Sequence, residues 1–369
     1  MSTILITGAN GFIGKNLFFA LKELPCTVDT FSHRDDRSEL KDKVIAADVI
    51  YHLAGVNRPD SDEEFISGNT DFTQHLLELI SLYNPGVTLI YTSSSQASKD
   101  NAYGRSKKNA EQLILKHVEE DSLNAFIYRL PGVFGKWCRP DYNSVVATFC
   151  NNVIHDIPLQ INNPDFKLEL VYIDDVIGSF IKHISKDYCG KDVFCEVGNS
   201  YVISLNELAQ KIYSFKESRK TLVTDKVGTG LTRALYATYL SYLPPENFSY
   251  AVPVYEDNRG SFSEILKTPE HGQFSFFTAK PGISRGGHYH HTKNEKFIVI
   301  SGVALFKFEN IVTGEIIEFE ASSNEIKVVD TIPGWAHNIK NIGTESLVVM
   351  LWANEIFDRD KPDTITWSM

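Results

Sequence analysis

Pro244 and Pro245 stand side by side in the run Leu240-Ser241-Tyr242-Leu243-Pro244-Pro245-Glu246-Asn247, and two consecutive prolines cannot sit inside a helix. The run divides the chain into two kinds of pattern. Before it, short apolar strands alternate with helical stretches, as in a parallel sheet covered on both faces. Candidate strands there are 3–7, 27–31, 49–53, 88–92 and 124–129. After about residue 250 short strands dominate and helical periodicity is weak, which is the pattern of a barrel. The expected architecture is a doubly wound parallel α/β sheet over 1–243 followed by an all-β barrel over 250–369. A length of 369 residues suits two cores better than one.

Charge and cysteine usage narrow the setting. The formal net charge of -11 argues against enveloping a nucleic acid or lying on a membrane surface, while leaving room for a local basic pocket for phosphate. No nucleic-acid partner and no membrane insertion are expected. The five cysteines contain no C-x-x-C pair, and their odd number closes no disulfide framework, so they read as reduced thiols. Met1-Ser2-Thr3 runs straight into the strand Ile4-Leu5-Ile6 with no room for a signal peptide. No apolar run approaches the roughly 20 residues that span a bilayer. A cytoplasmic location is the expectation.

Immediately after the first strand comes Thr7-Gly8-Ala9-Asn10-Gly11-Phe12-Ile13-Gly14, which opens a helix. Gly8 permits a tight turn, Gly11 lets backbone approach a pyrophosphate, and Gly14 allows the helix to pack closely on the strand. A dinucleotide site is expected. An NAD site usually ends its second strand with an acid for the ribose 2′-hydroxyl, but here the chain reads Phe31-Ser32-His33-Arg34. His33 and Arg34 suit a 2′-phosphate and hence NADPH. Asp35 and Asp36 follow directly, and a shift of one residue would reverse that preference.

Tyr103 and Lys107 open another helical run, and positions i and i+4 share a helix face. A phenol titrates near 10, so bringing it to about 7 needs roughly 4 kcal/mol, which a neighbouring ammonium can supply. Thr92-Ser93-Ser94-Ser95 ends the fourth strand and places a hydroxyl where a carbonyl could be polarised. These residues, with His52-Leu53-Ala54-Gly55 and the run from Arg129 to Gly135, resemble the extended short-chain dehydrogenase/reductase family, a Rossmann-fold group acting largely on nucleotide sugars. The resemblance implies a catalytic set of Ser94, Tyr103, Lys107 and Asn69. It also implies cofactor contacts from Gly8, Gly11, Phe12, Ile13, Gly14, His33, Arg34, Leu53, Ala54, Tyr103 and Lys107. The stretch from Ser94 to Tyr103 is shorter than that family usually shows.

The second half carries different chemistry. His288 and His290 lie two apart and so share one face of a strand, the turn 292–294 returns the chain to Glu295, and Pro333-Gly334-Trp335-Ala336-His337 adds a third imidazole. Three imidazoles and a carboxylate suit zinc, iron, nickel or manganese, with zinc favoured. The spacing resembles the cupin superfamily. Upstream, Asp257 to Glu264 and Arg285 to Tyr289 resemble the deoxysugar nucleotide 3,5-epimerases, which implies diphosphate contacts from Arg259 and Arg285 and a base at His288. That family normally lacks the metal set, so His288 has two possible roles, ligand or base.

The order of the two modules resembles the CapF family of bifunctional capsular polysaccharide enzymes over nearly the whole chain. That resemblance implies a UDP-linked 2-acetamido-2,6-dideoxy-4-keto hexose, epimerised at C3 by the cupin and then reduced at C4 with NADPH, on the way to N-acetyl-L-fucosamine. A homodimer is expected. Two alternatives stay open: a reductase with a structural or dimerising cupin, and a non-catalytic NADPH or metal sensor.

Overall fold

The computed structural model describes residues 2–32, 34–59, 61–185 and 192–369. Its contacts divide the chain into two units. The first comprises Met1–Ile212 with Ala234–Tyr242, and the second Tyr213–Arg233 with Leu243–Met369. The segment Tyr213–Arg233, which the rhythm of the sequence places with the helices and strands before it, groups with the barrel. Val223 bridges Lys267 there, and Thr224 and Lys267 donate backbone bonds across the same junction.

The first unit is built on a six-stranded parallel sheet in the order Cys26–Phe31, Ser2–Thr7, Val49–His52, Thr88–Ser94, Asn124–Leu130, Phe194–Cys195. Strands such as Val49–His52 are buried on both faces, which is why they read as continuous apolar runs. Leu5, Ile50, Leu89 and Ile127 of the sheet pack against Leu76 and Ile114 of the covering helices. Each such side chain contributes about 1.5–3 kcal/mol on burial. The strand order reverses beside the first strand, so the loops after Thr7 and His52 meet at the carboxyl ends of adjacent strands, where such sheets bind ligands.

The second unit is antiparallel. One sheet runs Tyr255–Asp257, Gly260–Thr268, Gly272–Ala279, Leu347–Ala353, Glu295–Ser301, Val328–Asp330; the other runs Ile316–Ser322, Val303–Asn310, Trp335–Asn341, Ser284–Tyr289, Ile365–Thr366. Their inner faces enclose Phe277, Phe297, Phe306, Ile339 and Val349. Alternation along Leu347–Ala353, buried at every second residue, is the period-2 signature of strands with one face on a core. No helix among the described residues is long and apolar enough to cross a membrane.

At the glycine-rich turn the packing leaves no room for a side chain. A Cβ on Gly14 would lie 2.3 Å from the Gly8 carbonyl oxygen, and one on Gly8, whose φ is +76°, would lie 2.7 Å from Ala54 Cα. Gly14→Ala should therefore cost about 1–3 kcal/mol through overpacking. A chemical denaturation series should show its midpoint lowered; an unchanged midpoint would mean that the turn has slack the geometry does not show.

Candidate active sites

The turn from Gly8 to Gly14 is held by backbone alone: Gly8 N–H donates to Phe31 (3.0 Å) and Gly11 N–H to Gly8 (3.0 Å). Gly11 caps the helix Phe12–Leu21 without a side-chain hydrogen bond, leaving first-turn N–H groups for an anion at the positive end of the helix. Leu53 and Ala54 border the turn, with Leu53 N–H donating to the Thr7 carbonyl (3.1 Å). At the end of the second strand Arg34 is exposed, and the Asp35 carboxylate is turned onto Ser32 N–H (2.6 Å). His33 lies outside the described residues.

A buried relay links this turn to the helix Ala102–Asp121. Thr73 Oγ1 donates to the Asn69 carbonyl (2.6 Å), so it accepts from His52 Nε2–H (2.9 Å). His52 Nδ1 is then the acceptor for Thr7 Oγ1–H (2.7 Å), and Thr7 in turn accepts from Ala54 N–H (3.4 Å). Burial, with the Lys107 charge adding to it, pushes the His52 pKa down to about 3 and keeps the ring neutral, as this tautomer requires. Asn69 sits in a π-helical turn, Ile66–Asp71. Its carboxamide accepts from Val56 N–H (2.8 Å) and donates to the Val56 carbonyl (3.1 Å) and to Ser106 Oγ (3.0 Å).

Tyr103, Ser106 and Lys107 belong to the helix Ala102–Asp121, whose start is fixed by Asn101 accepting from Gly104 N–H (2.7 Å). Strand alternation separates the serines: Ser93 turns inward to Glu111, while Ser94 hydrogen-bonds Tyr103. Glu111, 2 % exposed, is gripped at both oxygens by Arg129 (2.9 and 2.6 Å). Lys107 Nζ donates to the Thr92 carbonyl (2.9 Å). Burial lowers the Lys107 pKa to about 8 against an opposing pull from Glu111. The expectation that Lys107 depresses the tyrosine is not met in this arrangement. Burial raises the Tyr103 pKa above its usual value, with the Ser94 bond opposing, while the ammonium donates to the strand carbonyl.

In the barrel, His288, His290, Glu295 and His337 converge with one ligand atom each inside a 4.8 Å span. A bulge delivers His288: the pairing of Ser284–Tyr289 with Trp335–Asn341 shifts between Gly286 and His288, and Gly286 and Gly287 have φ of +110° and +75°. His290 Nδ1–H donates to the Asp363 carbonyl, and its Nε2 lies 3.3 Å from Glu295 Oε2. His337 Nε2 is 3.5 Å from the same oxygen, its Nδ1 buried without a hydrogen-bond partner. Burial, with His337 next, lowers the His288 pKa to about 4, leaving it neutral as a ligand must be. Burial tends to raise Glu295, but bonds from His290 and His337 outweigh it and hold the carboxyl well below its usual range. The donor set fits a divalent ion.

Nearby, Arg285 donates to the carbonyls of Ser261 (3.3 Å) and Thr278 (3.1 Å), and its buried Nε has no partner. Arg259 is held by the Asp257 carboxylate at 2.9 and 2.6 Å. The charge of Arg259 acts on Arg285, second to burial in lowering its pKa, so two guanidinium groups share one neighbourhood suited to an anion.

Comparison with known proteins matches the profile of the NAD dependent epimerase/dehydratase family over residues 4–194 and that of the polysaccharide biosynthesis C-terminal domain over 255–365. A Pseudomonas aeruginosa UDP-2-acetamido-2,6-beta-L-arabino-hexul-4-ose reductase is 51% identical over 99% of this chain and 98% of its own. The crystal structure of the capsular polysaccharide assembling protein CapF from Staphylococcus aureus, 40% identical, superposes with a TM-score of 0.92 over 99% of this chain and 100% of that one. The chain belongs to the CapF family. A Bacillus cereus UDP-glucuronic acid 4-epimerase in complex with NAD, 19% identical with a TM-score of 0.56 over 65% of this chain and 98% of that one, shares the fold alone.

In this CapF-family chain the structure gathers Ser94, Tyr103, Lys107 and Asn69 in one unit and the His288, His290, Glu295 and His337 set in the other. Sequence reasoning missed three supports. Glu111 and Arg129 lie on a helix and on the strand that follows it. Thr73 carries no motif. Asp363 lies 70 residues beyond the hairpin it organises, accepting from the backbone N–H groups of His291 (2.9 Å), Thr292 (2.7 Å) and Lys293 (2.8 Å). Only the pairing of Ile365–Thr366 with His288 and Tyr289 brings it there. Asp363→Ala should lower the melting temperature of the barrel and reduce retained metal after dialysis, since three N–H groups lose their acceptor. Unchanged metal content would show that the hairpin holds itself.

Proposed function

We propose that this protein is a bifunctional nucleotide-sugar enzyme of capsular or surface polysaccharide precursor synthesis. Its substrate is a UDP-linked 2-acetamido-2,6-dideoxy-4-keto hexose, epimerised at C3 in the barrel and then reduced at C4 in the Rossmann unit towards UDP-N-acetyl-6-deoxy-L-talosamine. The observation that carries this reading is the presence of two complete sets in one chain: Ser94 bonded to Tyr103 beside Lys107, and the four-donor cluster of the barrel. The name of the P. aeruginosa relative supports the reductase half.

For reduction, NADPH supplies the hydride. Gly8, Gly11 and Gly14 let it approach, and Phe12 and Ile13 begin the helix whose N–H groups meet its pyrophosphate. Arg34 with His33 favours the 2′-phosphate, a reading supported by Asp35 being engaged on Ser32. A phenol whose pKa is raised stays protonated at neutral pH, which suits Tyr103 to give its proton to the C4 oxygen. Ser94 polarises that oxygen. Lys107 holds the ribose, and Asn69 fixes the loop at Val56 against the helix.

For epimerisation, a 4-ketone acidifies the C3 proton by stabilising the enolate. A divalent ion held by His288, His290, Glu295 and His337 would polarise the keto oxygen. The convergence of all four donors favours His288 as a ligand over His288 as base. Arg259 and Arg285 hold the diphosphate.

Epimerisation must precede reduction because it needs the ketone. With no NADPH, metal-loaded protein in D₂O should place deuterium at C3 of the 4-keto sugar by NMR. Tyr103→Phe should exchange that proton equally well yet show reduction slowed by at least about a hundredfold, the usual scale for a lost general acid. Absence of exchange by the parent protein on a verified substrate would leave the reductase alone.

The reduction should also carry one descending pH limb. Because burial brings the Lys107 pKa down to about 8, the ammonium is lost above that pH and the rate should fall there, while Tyr103 remains protonated. Lys107→Arg, which keeps its charge, should move that limb to higher pH. A limb that stays in place in the variant would assign it to another group.

A further inference from the structure

Lys293 lies in the hairpin turn, where a lysine ordinarily reaches solvent, yet it is only 7 % exposed. Its Nζ is 3.0 Å from Glu295 Oε1, with the Phe357 ring 5.7 Å away on another side. Asp363 fixes its backbone N–H. The two oxygens of Glu295 therefore have separate partners: Oε1 meets Lys293, and Oε2 meets the Nε2 atoms of His290 and His337. Burying an ammonium is costly unless it is paired, so its placement on this one oxygen needs a reason.

We propose that Lys293 is a positioning residue and fixed counter-charge of the metal cluster. By occupying Oε1 it confines Glu295 to ligation through Oε2 alone, which leaves a coordination position for a substrate oxygen, and it stabilises the carboxylate before any metal arrives. The proposal rests on reading the cluster as a metal site. On a divalent ion that takes five or six ligands, three imidazoles and one carboxylate oxygen leave a position open, whereas a carboxylate binding through both oxygens would take up a further position. A fixed positive charge a few ångströms from a dication also weakens binding of that dication. Lys293 thus exchanges metal affinity for an open position and a folded metal-free barrel.

The test uses full-length protein stripped with a chelator, titrated with cobalt(II) or zinc against a chromophoric competitor, and melted with and without metal. Lys293→Met should bind metal about tenfold more tightly, since the opposing charge is gone. Its metal-free form should melt lower than the parent and recover on metal addition, because the ion then compensates Glu295. The cobalt visible bands should weaken as the coordination number rises. Lys293→Arg should return affinity and spectrum towards those of the parent. Equal or weaker metal binding by the methionine variant with an unchanged cobalt spectrum would overturn the proposal, as would a methionine variant that metal fails to refold or an arginine variant that behaves like it. A parent protein that binds neither metal would instead remove the metal-site reading itself.

Discussion

The N-terminal unit depends on one buried neutral imidazole. His52 accepts a hydrogen bond from Thr7, at the end of the first strand, and donates one to Thr73, on the helix behind the π-helical turn. Because Thr73 is committed to the Asn69 carbonyl, every donor in the chain points one way, from Ala54 through Thr7 and His52 to Asn69. The loop that borders the glycine-rich turn and the residue that braces the helix of Tyr103 and Lys107 are thereby held by the same line of bonds. A charged His52 would turn Thr7 from donor to acceptor and reverse that end of the line, and burial prevents that charge.

The two sites solve the problem of buried charge differently. In the Rossmann unit, Glu111 is neutralised by Arg129 from the neighbouring strand and in turn steadies the ammonium of Lys107 four residues away on its own helix. In the barrel the carboxylate of Glu295 is shared between imidazoles and the lysine of its own turn, and the C-terminal segment ties that turn down through Asp363. The first arrangement is complete within the protein. The second gathers three imidazoles and a carboxylate with one ligand atom each inside 4.8 Å, a donor set that suits a divalent ion.

Backbone geometry supplies what side chains cannot. The contact of Gly8 with Ala54 and of Gly14 with Gly8 leaves no volume for a Cβ, so the pyrophosphate-facing turn is set by steric exclusion. In the barrel, Gly286 and Gly287 adopt positive φ in the bulge that aims His288. The shifted register sets His288 across from His337, with 4.6 Å between their ring centres.

Sequence alone determined the two architectures, because strand and helix periods and a proline pair are local properties. It determined the glycine turn and the Tyr103 and Lys107 spacing for the same reason: each is a short pattern whose geometry follows from one strand or one helix. It also picked out His288, His290, Glu295 and His337, which only the sheet brings together. Tertiary structure decided the rest. Which serine meets Tyr103 depended on strand alternation relative to Glu111. The tyrosine pKa rose because the docked helix buries the phenol. Lys293 became buried, and Asp363 became the anchor of the hairpin, only because the C-terminal strand pairs with Ser284–Tyr289. Electrostatics acts through space, and spacing along the chain carries no record of distances closed by a sheet.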